Sequence, residues 1–193
     1  RTGIRLRVIS GIEEARLIAE GVLAHERKAR GLFALIDIGG GSTEISVCRD
    51  GSVLHSASFP LGVARIQQIF LKTVPPRGGA TDDSAVARLR KYVRELVGTR
   101  AERENWPAVR RVLGSSGTVR AFAKMLADDR DGGAFRRAAL KRLVHRMATM
   151  TPEQLLHVRG MEPKRVDLIL AGGVVLEECA RAIGAEEISA TEF

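Results

Sequence analysis

The segment Asp37-Ile38-Gly39-Gly40-Gly41-Ser42-Thr43-Glu44 concentrates residue types that can grip a phosphate. Three successive glycines let the backbone approach a ligand closely and reach positive φ without a Cβ penalty. Their N–H groups can then form an anion-binding concavity. Ser42 and Thr43 add hydroxyl donors, and Asp37, at the end of an apolar run, can hold Mg²⁺ directly or through water. Neither the dinucleotide-binding fingerprint nor the Walker loop is present, because no helix and no Gly-Lys-Ser follow. An ordinary glycine-rich hairpin is the competing reading.

A second candidate loop is Gly114-Ser115-Ser116-Gly117-Thr118. It sits where a strand gives way to a helix, so its N–H groups lie at a helix N-terminus, which favours anions. A plain strand-to-helix turn with a good cap would use the same residues.

The elements that must position these loops can be placed by periodicity. Arg5 to Ile9 alternates like a short strand, and Ile12 to His25 carries a helical apolar stripe. Leu32 to Ile36 reads as a strand buried on both faces. Glu44 to Cys48 and Ser52 to Phe59 read as strands joined by an Asp50-Gly51 hairpin turn. Helices are predicted over Val63 to Leu71, from Asp82 or Asp83 to about Gly98, over Val119 to Ala127, Phe135 to Met150, a short one from Thr151, and Pro163 to Ile183. Loops fill Thr73 to Ala80 and Asp128 to Gly133. With the three strands from Leu32 to Phe59, Val109 to Leu113 and Glu187 to Ala190 complete a mixed five-stranded sheet with helices on its faces, an α/β class.

The 193 residues suit one sizeable domain, with 45% hydrophobic and 28% charged residues. No apolar run reaches the ~20 residues of a membrane helix. Cys48 and Cys179 read as reduced core thiols of a cytoplasmic protein, and the four histidines have no zinc-ligand spacing. The net charge of +8 favours polyanionic partners. With only 4% aromatics, base-stacking platforms are scarce, so no specific nucleic acid is expected. The basic stretches Arg88, Arg90, Lys91, Arg94 and Arg136, Arg137, Lys141, Arg142, Arg146 read either as solvated helix faces or as a polyanion track.

Five ordered motifs resemble the Ppx/GppA family of exopolyphosphatases and guanosine pentaphosphate phosphatases. They are Val8 to Ile18, Asp37 to Glu44, Pro60 to Arg65, Gly114 to Thr118 and Pro163 to Gly173. The resemblance implies a ribonuclease-H-like lobe of the two-lobed fold shared by actin, sugar kinases and the Hsp70 ATPase. It also implies that residues 1–193 are a single domain, the second lobe, with the first lobe and its own phosphate loop absent before Arg1.

By that resemblance Glu14 is the general base for the attacking water, with Glu13 one position away. A solvated first-turn carboxylate is the alternative. Asp37 and then Glu44 would hold Mg²⁺. The backbone of Gly39, Gly40, Gly41 and Ser42, the hydroxyls of Thr43, Ser115, Ser116 and Thr118, and Gly117 would bind phosphate. Arg65 would point at the polyanion or make a surface ion pair. The implied reaction releases terminal orthophosphate from inorganic polyphosphate, or the 5′ γ-phosphate from guanosine pentaphosphate, in a protein that is a homodimer at full length. A kinase or ATPase of the same fold, using Gly172-Gly173 for adenine, and a polyanion-binding lobe without turnover are the competing classes.

Overall fold

The computed structural model describes residues 3, 5–26, 29–127 and 133–191. The loop expected from Asp128 therefore lies outside the described residues as far as 132, as do Glu192 and Phe193. Helix α1 (Gly11–His25) leads into β1 (Leu32–Ile38), β2 (Thr43–Arg49) and β3 (Ser52–Phe59). Then come α2 (Val63–Phe70), α3 (Ala85–Arg103), β4 (Arg111–Gly114), α4 (Gly117–Leu126), β5 (Ala134–Arg136) and α5 (Arg137–Met147). The short α6 (Pro152–Leu156), a 3-10 turn (Pro163–Arg165), α7 (Ile169–Ala182) and β6 (Glu187–Ala190) close the chain. No helix among the described residues is long and apolar enough to cross a membrane.

The strands form one sheet in the order β3-β2-β1-β4-β6-β5. β1 pairs antiparallel with β2 and parallel with β4, so the expected mixed sheet is present. β1 is buried on both faces, and its alternation sends residues two ways. Phe33 and Leu35 join Ala19, Val22 and Cys48 beneath α1. Ala34, Ile36 and Ile38 join the larger core that also takes in buried residues of α2, α3, α4, α5 and α7. Each fully buried large apolar side chain of this kind stabilises by about 1.5–3 kcal/mol.

Between β2 and β3, Asp50 and Gly51 both take positive φ (47° and 84°), as a two-residue primed turn requires. Thr151 caps α6 in a reciprocal box with Gln154, as Thr-Pro at a helix start suggests. α7 carries Gly172 and Gly173 fully inside the fold. A Cβ on Gly172 would lie 2.6 Å from Thr118 Cγ2, and one on Gly173 2.6 Å from the Phe122 ring. The pair lets α4 press against α7 and offers no open face to an adenine.

Several expectations are corrected. The sheet has six strands, because Ala134–Arg136 pairs antiparallel with β6 instead of opening a helix at Phe135. Three residues are too few to show alternation, so only the pairing reveals them. Arg5 to Ile9 forms no strand: Leu6 and Val8 are 94% and 98% exposed, with no ladder partner among the described residues. α3 is capped by Ser84, whose Oγ accepts from Ala87 N–H, not by Asp82 or Asp83, and it continues past Gly98 to Arg103. The long helix expected from Pro163 is broken, with a 3-10 turn ending at Arg165 before α7 starts at Ile169.

Candidate active site

The glycine loop spans 39–42, since the β1–β2 ladder closes at Ile38 opposite Thr43. Its geometry is set by the first turn of α2. Val63 N–H donates to Gly39 O at 2.9 Å, and Ala64 N–H to Gly40 O at 3.0 Å. Arg65 Nε donates to Gly41 O at 3.1 Å. Gly39 N–H returns to Ser42 O at 2.9 Å. The loop carbonyls are thus held by α2, while the N–H groups of Gly40, Gly41 and Ser42 meet no protein acceptor among the described residues.

Gly62 makes this contact feasible. A Cβ there would sit 2.3 Å from Gly40 C and Gly41 N, a separation only backbone movement could relieve. Gly39, Gly40 and Gly41 themselves do not take positive φ, contrary to the expectation from their type. A Cβ on Gly40 or Gly41 would meet nothing in the chain. Glycine at these two positions keeps the space beside the free N–H groups clear.

Ser115 Oγ donates to Asp37 Oδ1 at 2.6 Å, tying the second loop to the first. Ser116 caps α4 by accepting from Val119 N–H. The Arg165 guanidinium lies against Gly117, where a Cβ would be 2.5 Å from one of its nitrogens. Arg165 is held in turn by Glu162, which Lys124 also binds at 2.7 Å. These cations hold the Glu162 carboxyl down at about 2.

Not every predicted hydroxyl faces outward. Thr43 is buried and donates to Leu61 O at 3.0 Å. Thr118 is buried with its methyl against Gly172. Both are packing residues of the site walls. Arg65 is exposed, but its Nε is committed to the loop carbonyl.

Three carboxylates converge beside the loops. Ser10 caps α1, and Glu14 in its first turn is exposed. Glu13 is turned away to an ion pair with Arg7, which separates the two neighbours. Glu44 is 3% exposed and accepts from Ser58 Oγ at 2.7 Å. Burial pushes its carboxyl above the ordinary 4.5, with the negative charges of Glu14 and Asp37 adding to the rise and hydrogen bonds from Ser58 and Ser42 opposing it. No group of three or more His, Cys, Asp or Glu among the described residues closes into a metal cage.

Ser58 lies in no motif, and Gly11 lies inside the Val8 to Ile18 stretch with no role predicted for it. A Cβ on Gly11 would lie 2.4 Å from Ser58 Oγ, so α1 can approach Glu44 only with glycine there. Gly62 and Arg165 lie inside motif stretches, but nothing in those stretches predicted that Gly62 seats the loop or that Arg165 covers Gly117.

The raised Glu44 carboxyl has a consequence for stability. A group with a raised folded-state pKa favours the fold below its unfolded value and loses that contribution as pH rises through the folded one. Glu44→Gln is therefore expected to raise the unfolding midpoint at pH 7 relative to the parent. The difference should vanish below about pH 4.5, where both states carry the proton. Urea titrations at both pH values check this, and a midpoint lowered at pH 7 would sink it.

The model of the Ppx/GppA phosphatase family matches residues 1–193. Exopolyphosphatase 2 of Mycobacterium tuberculosis is 30% identical over 98% of this chain and 61% of its own length. A putative exopolyphosphatase of Haemophilus influenzae is 30% identical over 89% and 51%. Among solved structures, the Aquifex aeolicus member of the Ppx/GppA family superposes with a TM-score of 0.80 at 20% identity, covering 99% of this chain and 61% of that one. An exopolyphosphatase from Cytophaga hutchinsonii gives 0.77 at 23%, covering 97% and 62%. The chain thus spans little more than half of the length of these relatives.

Proposed function

Because the chain belongs to the Ppx/GppA phosphatase family, we propose that it supplies the Glu14–Asp37–Glu44 wall of a hydrolase that removes terminal orthophosphate from inorganic polyphosphate. The observation carrying this reading is the Ser115–Asp37 hydrogen bond. It joins two loops of anion-binding type at the edge where three carboxylates meet. In the proposed step, N–H groups of Gly40, Gly41 and Ser42 hold the terminal phosphate. Water attacks its phosphorus, the bridging P–O bond breaks, and the shortened chain leaves with the bridging oxygen. Glu14 takes the proton from the water, and phosphoryl transfer of this kind depends mainly on positioning and charge stabilisation.

Asp37 and Glu44 also suit Mg²⁺. Their charges have no Lys or Arg partner among the described residues. Mg²⁺ commonly binds through one or two carboxylates plus phosphate oxygens and water, so no closed cage is required. When bound, the ion would neutralise phosphate charge. Two reduced, buried cysteines fit a cytoplasmic setting.

Orthophosphate release from polyphosphate, guanosine pentaphosphate and ATP, measured side by side on the whole protein with Mg²⁺, tests the reading. Polyphosphate should be shortened from its end. Release from guanosine pentaphosphate alone would move the assignment to a nucleotide phosphohydrolase. Turnover of ATP alone would move it to an ATPase.

A further inference from the structure

We propose that a groove between α3, α5 and the C-terminal half of α7 is a second anion site, built to hold a linear oligophosphate. The choice of oligophosphate rests on the substrate class proposed above, whereas the site itself rests on separate residues. The groove encloses about 900 Å³. Ala138 and Ala139 line it, and small side chains there leave room that larger ones would fill.

Its charge is strongly one-sided. Arg90 and Arg94 lie at one wall, where Glu178 binds Arg90 at 2.8 Å and Arg94 at 3.0 Å. Glu177 also pairs with Arg90, and both glutamates are fully buried. These carboxylates are consumed inside the fold and fix the two arginines in place. Lys141, Arg142 and Arg146 on α5 and Arg181 on α7 line the same groove. None of the four has an acidic partner among the described residues, and all four are exposed.

Such an arrangement opposes folding. Arg142 and Arg146 are four apart on one helix face, a like-charge spacing that destabilises, and Arg181 acts electrostatically on Arg90. A bound polyanion would relieve this repulsion. The lining includes the His145 ring but no Phe, Tyr or Trp. A base-bearing polymer therefore finds no stacking platform, and a bare phosphate chain loses nothing by comparison.

The position also fits a chain-like ligand. α4 begins at Gly117, in the second glycine loop, and ends at Leu126, which lines the groove. Ten helical residues span about 15 Å. The groove is thus distinct from the candidate active site yet one short helix away from it.

End-labelled polyphosphate binding, followed by fluorescence anisotropy across a salt series, tests the proposal. The double variant Arg142→Glu/Arg146→Glu alters only exposed side chains, and a thermal midpoint at or above that of the parent verifies its fold. It should bind polyphosphate at least about tenfold more weakly, with the slope of log affinity against log salt reduced by about two. Unchanged affinity and slope would overturn the proposal. Single-stranded DNA of matched charge, bound as tightly and lost equally in the variant, would also overturn it in favour of nucleic-acid docking. Binding loss without any orthophosphate release by the parent keeps this site and removes the hydrolysis reading. Release with unaltered binding does the reverse.

Discussion

Glu14→Gln is expected to slow orthophosphate release by about 10²- to 10⁴-fold while leaving the unfolding midpoint near that of the parent. The expectation comes from where Glu14 stands. It is exposed at the first turn of α1, and its charge reaches Glu44, so its amide replacement disturbs no core contact. A glutamine keeps the shape but cannot accept the proton that the attacking water must lose. Glu13→Gln is the internal control. Glu13 is occupied by Arg7, so its replacement should change release by less than about threefold, the range of a small surface effect. Steady-state kinetics on both variants decide the matter. Normal turnover by Glu14→Gln together with loss in Glu13→Gln would transfer the role to the neighbouring carboxylate.

The walls of this site were legible in the sequence to different depths. The Asp37–Glu44 segment announced itself because glycine runs beside hydroxyls and carboxylates have few other uses. What those glycines do was less legible. Positive φ was the natural guess, yet the structure leaves Gly40 and Gly41 outside that region. It places the tight steric demand at Gly62, more than twenty residues on, whose Cβ would enter the loop backbone. Ser58 was invisible for a similar reason. A serine near the end of a strand has no periodic signature, and only the β2–β3 register, which sets Glu44 opposite Ser58, gives it a partner.

The fold divides in the same way. Elements defined by their own periodicity, such as α1, β1 and the β2–β3 hairpin, were placed within a few residues. β5 was missed because its existence depends on Phe135 lying opposite Ile188 of β6. The last helix was drawn too long because the apolar stretch over 168–176 continues a helical pattern back past Asp167, and nothing in the sequence marks a break at Arg165. The Arg165 side chain is drawn aside onto Gly117 by Glu162, and the backbone turns there before α7 begins. Sequence pattern reports what an element buries, and it is silent about what a distant loop asks of it.

The charged stretch of α3 illustrates that silence and carries the second large prediction. Glu178→Ala is expected to cost about 3–5 kcal/mol of stability. Solvated surface was the simplest reading of Arg90 and Arg94, yet Arg94 meets Glu178 through Nε at 3.0 Å and a second nitrogen at 3.3 Å. Arg90, with only 17% of its side chain exposed, depends on the same carboxylate. Burial lowers the Arg90 pKa and the Glu178 charge opposes that fall, so the alanine variant leaves a desolvated guanidinium short of one counter-charge. Exposed ion pairs elsewhere on the chain, such as Arg16–Glu20, should contribute under about 1 kcal/mol each. Arg90→Met/Glu178→Leu should not recover the loss, because it takes the Arg90 charge from the fully buried Glu177 and the Glu178 carboxylate from Arg94. Guanidinium denaturation of Glu178→Ala and of the double variant measures both losses. A Glu178→Ala loss below about 1 kcal/mol would mean that Arg90 and Arg94 are held by something other than this carboxylate. The wall of the basic groove would then lack the rigidity that anion binding there requires.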